Sequence, residues 1–257
     1  MLFRSLLDIT HRAVGFLKSV DLIACEDTRR TKILCAAYDI KKPLCSYYEY
    51  NKAVRGEYLM GLLREGKTIA LVSDAGTPGI SDPGFNLIRS ALDAGIPVTP
   101  IPGPTALISA LSASGFPANR FFFEGFLPVK SGARKKRLKE LALLKATVVA
   151  YESPHRILAT LEDMREILGK RPVAVVREIT KKFEEVLRGD AGFIADQLRR
   201  RHSPERAGLP VPLKEGPSPE RAGLPLPMKE GPRPERAGLP LPMKEGPRPK
   251  GEFVVVF

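Results

Sequence analysis

The residues with the most chemical capacity lie in one loop, Asp74-Ala75-Gly76-Thr77-Pro78-Gly79-Ile80-Ser81-Asp82-Pro83-Gly84, directly after the apolar run Thr68 to Ser73. Its glycines let backbone approach a ligand closely, its prolines fix the course, and Asp74 and Asp82 offer acceptors for hydroxyls. That set suits a ligand rich in ribose hydroxyls, and it is longer than a plain strand-to-helix turn requires. A second loop, Pro102-Gly103-Pro104, opens a helical segment from Thr105, whose first amides would be unpaired and available to a ligand. A third feature is basic: Lys130, Arg134, Lys135, Lys136, Arg137 and Lys139 stand close together, and Arg199 to Arg201 form a second cluster. Both suit a phosphate backbone and equally suit a solvated helix face.

Other chemistries find no support. There is no GxGxxG after a strand, no GxxxxGK[ST] and no GxSxG, which argues against nicotinamide, nucleoside-triphosphate and serine-hydrolase readings. The histidines His11, His155 and His202 are scattered, and Cys25, Cys35 and Cys45 form no CxxC pair, so no metal ligand set is expected. The cysteines read as buried thiols in a reducing compartment.

The elements that would hold these loops follow a repeating pattern. Asp21 to Cys25, Thr68 to Ser73 and Ile96 to Ile101 are β-branched, apolar runs, each followed by turn formers, and helical spacing over Phe85 to Ala94 and Thr105 to Ser114 ends at Gly95 and Gly115. This predicts an α/β domain over residues 1–117. After Phe116-Pro117-Ala118-Asn119 the rhythm restarts. Phe121 to Phe123, Thr147 to Tyr151, Val173 to Val176 and Phe253 to Phe257 are expected strands, with helices over Arg134 to Leu144 and His155 to Leu168, in a second α/β domain over 118–257. That domain is interrupted at 203–249, where SPERAGLPVPLKEGP recurs almost verbatim from Ser218 and Arg233 and proline density forbids helix interiors.

The chain has 257 residues, 43% of them hydrophobic, enough to build real cores without disulfides. Its formal charge of +12 makes an anionic partner plausible. No stretch reaches the roughly 18 apolar residues of a membrane span, and MLFRSLLDITHR lacks a signal peptide's apolar core, so a cytoplasmic location without membrane contact is expected.

The ordered segments DLIACEDTRRT, LVSDAGTPGISDPG, PIPGPTALISALSASG, FFFEGFLP, YESPHRI and VVREITKKFEEVLRG closely resemble the bacterial small-subunit rRNA 2′-O-ribose cytidine methyltransferases, a family with the tetrapyrrole methylase fold. The resemblance runs from about Asp8 to Arg201 and includes the last strand. It implies a two-domain α/β fold, with a parallel-sheet N-terminal domain and a mixed-sheet C-terminal domain, that transfers a methyl group from S-adenosyl-L-methionine to a ribose 2′-hydroxyl in the decoding region of 16S rRNA. The partner it implies is small-subunit rRNA or an assembled small ribosomal subunit, and the protein is a possible homodimer.

By the same resemblance the cofactor would contact Asp74, Ala75, Gly76, Thr77, Pro78, Ile80, Ser81, Asp82, Pro104, Thr105 and Ala106 from the first domain. From the second, Glu124, Gly125, Phe126, Pro128 and Tyr151 would close the site. RNA contacts would include Arg29, Arg156 and Arg177 and the basic run Lys130, Arg134, Lys135, Lys136 and Arg137. A ribose hydroxyl must be aligned and relieved of its proton. Glu26, Asp27, Glu152 and Glu178 are the candidate bases, unranked and each equally able to be an arginine's partner, with Lys181 beside them in the catalytic set. Two departures are visible. Family members carry a strand and a glycine turn just before Asp8-Ile9-Thr10, where this chain has MLFRSLL, so the first sheet is expected to be short of a strand. The repeats form the other. Two further readings stay in competition: a same-fold methylase of a small tetrapyrrole, and a non-catalytic RNA-binding remnant.

Overall fold

The computed structural model describes residues 6–74, 76–201 and 251–257. Ala75, residues 1–5, where the shortened strand was expected, and the repeat insertion at 203–249 lie outside the described residues. Among those described, no helix is long and apolar enough to cross a membrane.

In the first half, β1 (Leu22–Cys25) is flanked in parallel by β2 (Leu44–Ser46) and β3 (Ile69–Val72), in the order β2-β1-β3. β1 is apolar at every position because both of its faces are covered. Leu22 and Ala24 meet Leu59 and Met60 of α3 (Lys52–Arg64) and Leu87 and Ala91 of α4 (Phe85–Asp93), whereas Ile23 meets Leu17 of α1 (His11–Ser19) and Leu34 of α2 (Thr28–Ala37). Cys25 registers with Ser46 on one side and Val72 on the other, so the three carboxyl ends lie together. Glu26, Tyr47 and Ser73 leave the sheet there side by side. Cys25, Cys35 and Cys45 are buried free thiols.

Ile96 to Ile101 was expected to be a strand and is not one. A strand exists only within a ladder, and Pro97 and Pro100 remove amide donors from this short run. The run is apolar and β-branched, but no strand pairs with it among the described residues, where the order ends at β3.

The second sheet has five strands in the order β4-β5-β8-β6-β7: β4 (Phe121–Phe126), β5 (Thr147–Glu152), β6 (Pro172–Arg177), β7 (Glu185–Asp190) and β8 (Phe253–Val256). β4 and β5 are parallel, while β8 pairs antiparallel with both β5 and β6, which makes the sheet mixed. Alternate residues supply two cores. Val148, Ala150, Val173, Val175 and Val255 pack under α6 (Ser131–Ala142), α7 (Ile157–Leu168) and α8 (Ala191–Arg201). Val149, Ala174, Val176, Val254 and Val256 pack against Ala110 and Leu111 of α5 (Ala106–Ser114). Thus α5, which precedes residue 117, lies on the second sheet's face and ties the two halves together. Thr105 caps it by accepting from Ile108 N at 3.2 Å, and Gly115 ends it at φ 82°, the left-handed geometry that glycine adopts without cost.

Candidate active site

At the carboxyl end of β1 the first-domain half is a set of acids held by backbone amides. Asp27 caps α2 by accepting from Arg29 N at 2.9 Å, and the Arg29 guanidinium grips the same carboxylate at 3.0 and 2.8 Å. The Arg29 side chain, followed by its amide, holds the Asp27 carboxyl down to about 2. Asp74 accepts from Asp27 N at 3.2 Å and pairs with Arg30 at 3.0 Å, and its own amide donates to Glu26 Oε2 at 3.4 Å. Asp82 differs. Its Oδ2 is buried with no hydrogen-bond partner among the described residues, and burial raises its carboxyl to about 6, with Glu26 and Asp74 adding to the push and Ser73 opposing it.

The loop from Asp74 to Gly84 needs its glycines. A Cβ on Gly84, at φ 149°, would meet Gly79 N at 2.9 Å, and one on Gly76 would meet Asp82 Oδ2 at 2.9 Å. Ile80 N closes a turn on Thr77 O at 3.0 Å, with Pro78 inside it.

The second-domain half meets this loop directly. The register of β4 shifts between Phe123 and Gly125, and Gly125 takes φ 74° so closely against the first domain that an added Cβ would stand 3.1 Å from Ser81 Oγ. Tyr151 sits beside it with its ring edge-on to Phe123 at 5.0 Å and Phe126 at 5.8 Å. Burial raises the Tyr151 hydroxyl's pKa; a backbone hydrogen bond from Leu107 in α5 opposes this, and the Asp82 charge adds to the rise. Asp82 of the first-domain loop and Tyr151 of the second sheet are therefore within electrostatic reach of one another.

Several residues expected at the site are committed to other contacts. Glu152 is buried: Oε1 accepts from Ser153 N at 2.7 Å, and Oε2 from Thr160 Oγ1 at 2.6 Å and Arg156 at 3.1 Å. Arg156 also donates to Leu127 O at 2.6 Å, while its Nε is buried without a partner. Glu178, at φ 49°, accepts from Lys181 at 2.7 Å and from Glu252 N at 3.0 Å, and Lys181 also reaches Glu252 at 3.0 Å. Arg177 lies 3.8 Å from Glu185 and over the Phe253 ring, and its burial lowers its pKa. Glu124 is held in two hydrogen bonds, both 2.7 Å, by Arg137.

The basic run needs a correction. Arg134 was expected to face RNA, but it is 3% exposed and bound to Asp163 at 2.6 and 2.7 Å, with Pro128 O and Val129 O as further acceptors. Its position on α6 turns it toward α7, so it is an internal strut. Lys135 pairs with Glu166 at 2.5 Å and Arg137 with Glu124 and Glu140. Lys130 and Lys136 stay exposed.

The family model described as Tetrapyrrole (Corrin/Porphyrin) Methylases matches residues 5–195. The chain belongs to that family. It is 53% identical over 185 residues to the Ribosomal RNA small subunit methyltransferase I of Halalkalibacterium halodurans, a match covering 72% of this chain and 64% of that protein. It is 51% identical over 200 residues to the protein of the same name from Bacillus subtilis, covering 76% and 68%. The chain thus spans about two thirds or less of the first of these relatives' length. Among solved structures it resembles a cobalt precorrin-4 methyltransferase with TM-score 0.58 at 18% identity, covering 77% of this chain and 85% of that one. A uroporphyrin-III-C-methyltransferase from Thermus thermophilus gives 0.54 at 20%, covering 97% and 88%. These last two likenesses concern the fold alone, and they agree with the two-sheet tetrapyrrole methylase architecture expected from the sequence.

Tetrapyrrole methylases use S-adenosylmethionine, and the residues here fit such a ligand. The cofactor carries a sulfonium and an ammonium, and the cleft presents Glu26, Asp74 and Asp82 together, one with a buried oxygen that lacks a partner. Sequence reasoning missed Arg30, which neutralises Asp74, and Ser73, whose hydroxyl donates to Gly76 O at 3.2 Å. The doubled arginine after a helix cap could have signalled the first; nothing in the sequence distinguishes the second.

Proposed function

We propose that the chain is an S-adenosylmethionine-dependent methyltransferase that modifies the ribose 2′-hydroxyl of a cytidine in the decoding region of small-subunit rRNA, working in the cytoplasm on RNA or an assembled small subunit. What carries the reading is the 53% identity over 185 residues to a protein named for small-subunit rRNA methylation. Likeness to tetrapyrrole enzymes at 18–20% identity favours no small-tetrapyrrole substrate.

The bound cofactor supplies an activated methyl group, and the remaining work falls to the chain. The Asp74 to Gly84 loop and the Gly125 bulge would hold the cofactor between them, with Asp82 supplying a carboxylate for its cationic portion. The acceptor hydroxyl must lie within roughly 3 to 3.5 Å of the methyl carbon, so orientation supplies much of the rate. Of the four candidate bases, Asp27, Glu152 and Glu178 are bound by Arg29, by Arg156 with Thr160, and by Lys181. Among the described residues Glu26 has only the long contact from Asp74 N, so we assign it the ribose proton. The test is calorimetric binding of S-adenosylmethionine, followed by transfer of labelled methyl to small subunits that lack the modification. One-to-one binding and 2′-O-methylcytidine in the digested rRNA support the reading. Folded protein that binds no cofactor refutes it.

A further inference from the structure

We propose that the outer edge of the first domain is a track for single-stranded RNA, with phosphates along a lysine-lined groove and bases stacking on Tyr48 and Tyr50. The inference rests on the RNA-methylation reading for its substrate class but uses residues outside the cleft. The groove, about 520 Å³, lies between α2 and β2 and is lined by Thr28, Lys32, Lys41, Lys42 and Leu44 among others. Lys41 is 3.2 Å from Asp39, whereas among the described residues neither Lys32 nor Lys42 has a carboxylate at ion-pair distance. Thr28 opens α2 directly after Asp27, so the groove begins beside the acid cluster.

At the other end of β2 stand the tyrosines. Tyr47 is buried and its amide donates to Cys25 O at 2.8 Å, which anchors the chain at the carboxyl end of the sheet. The next residues turn outward. Tyr50 is 94% exposed, Tyr48 39%, and their rings meet edge-on at 6.2 Å. The loop is braced: Asn51 Oδ1 accepts from Tyr48 N at 2.8 Å and its Nδ2 donates to Ser46 O at 3.1 Å. Lys52 pairs with Glu49 within the same turn. From Lys42 to Tyr48 the chain is six residues, or roughly 20 Å if extended. Exposed, rigid aromatic faces next to a cationic groove are what a single strand requires, since every base has a π-face and every linkage a phosphate. A duplex, with its bases already stacked, gains nothing from the tyrosines.

The test measures anisotropy of a labelled mixed-pyrimidine RNA of about ten nucleotides, within the site sizes typical of such grooves. Each base that stacks should contribute between about fivefold and 150-fold in affinity, so with two bases stacked Tyr48→Ala/Tyr50→Ala should bind more weakly by about 25-fold or more, with Tyr50→Phe close to the parent. Lys32→Ala/Lys42→Ala should lower the slope of log affinity against log salt by about 1.4. Calorimetric affinity for S-adenosylmethionine should be unchanged in all three, which shows that they fold. Equal RNA binding by parent and variants overturns the track, whether or not the parent methylates small subunits. Loss of RNA binding in the variants by a parent that does not methylate leaves the track standing and sinks the methylation reading. A dimer in sedimentation that the tyrosine variant converts to monomer, with RNA affinity intact, makes this face a contact between two copies and also overturns the proposal.

Discussion

Replacing Arg134 by alanine separates a structural cation from an RNA contact. The guanidinium makes two close bonds to Asp163, at 2.6 and 2.7 Å, and reaches Pro128 O and Val129 O; the two side chains are 4% and 9% exposed. Breaking a buried pair by removing one partner costs about 3–5 kcal/mol, because the survivor is left as an uncompensated charge. Asp163 would keep Ser131 Oγ at 2.9 Å and Lys135 at 3.7 Å, which places the expected loss near the lower bound, about 3 kcal/mol. Urea unfolding followed by circular dichroism would report this as a fall in midpoint at constant slope. Arg134→Met with Asp163→Leu should regain most of the loss, since an apolar pair of similar volume removes both desolvation costs. RNA affinity of the folded Arg134→Ala protein should match that of the parent. An unchanged urea midpoint together with weakened RNA binding would refute the assignment and return Arg134 to the surface.

Three other outcomes are expected. Gly125→Ala should weaken S-adenosylmethionine binding by about tenfold or more in calorimetry, because a φ of 74° strains any L side chain and the new Cβ would press on Ser81. The Asp82 carboxyl, raised from 3.8 to about 6, binds its proton more tightly folded than unfolded, so the free protein should lose stability as pH rises from about 4 to about 6 and no further above that. Its partial exposure limits this to roughly 1–2 kcal/mol, whereas affinity for the cationic cofactor should rise over the same window with proton release, and Asp82→Asn should flatten both curves. Glu26→Gln should lower the single-turnover rate of methyl transfer at saturating S-adenosylmethionine by about 100-fold, over and above any affinity lost with one acid of the cluster.

How much the sequence disclosed depended on whether a residue's partner was local. The β-branched runs that became β1, β3, β5, β6 and β8 were legible because two-sided burial demands unbroken apolar residues. β2 was not, being three residues long and preceded by Pro43. Ile96 to Ile101 had the composition of a strand but no ladder, and composition cannot report a neighbour. The cap at Asp27 is a local signal, yet its full occupation by Arg29 appears only in side-chain geometry. Arg134 reads like its neighbours in the run, and only its position on α6, facing Asp163 of α7, turns it inward.

The distribution of committed charge constrains where RNA can lie. Glu26, Asp74 and Asp82 converge at the carboxyl ends of β1 and β3, and this negative region suits a sulfonium while repelling a phosphate. The backbone of a bound RNA must skirt that region and present only the ribose to it. Arg134, Lys135 and Arg137 are held by carboxylates of the second domain, so these three cations of the basic run are committed before any phosphate arrives. Cations without a carboxylate in reach among the described residues, such as the exposed Lys32 and half-buried Lys42 on one flank and the exposed Lys136 on the other, are then the groups that set the salt dependence of binding. Neutralising them should change affinity equally for every RNA sequence, whereas changes to the acids should act on the cofactor and the methyl-transfer rate.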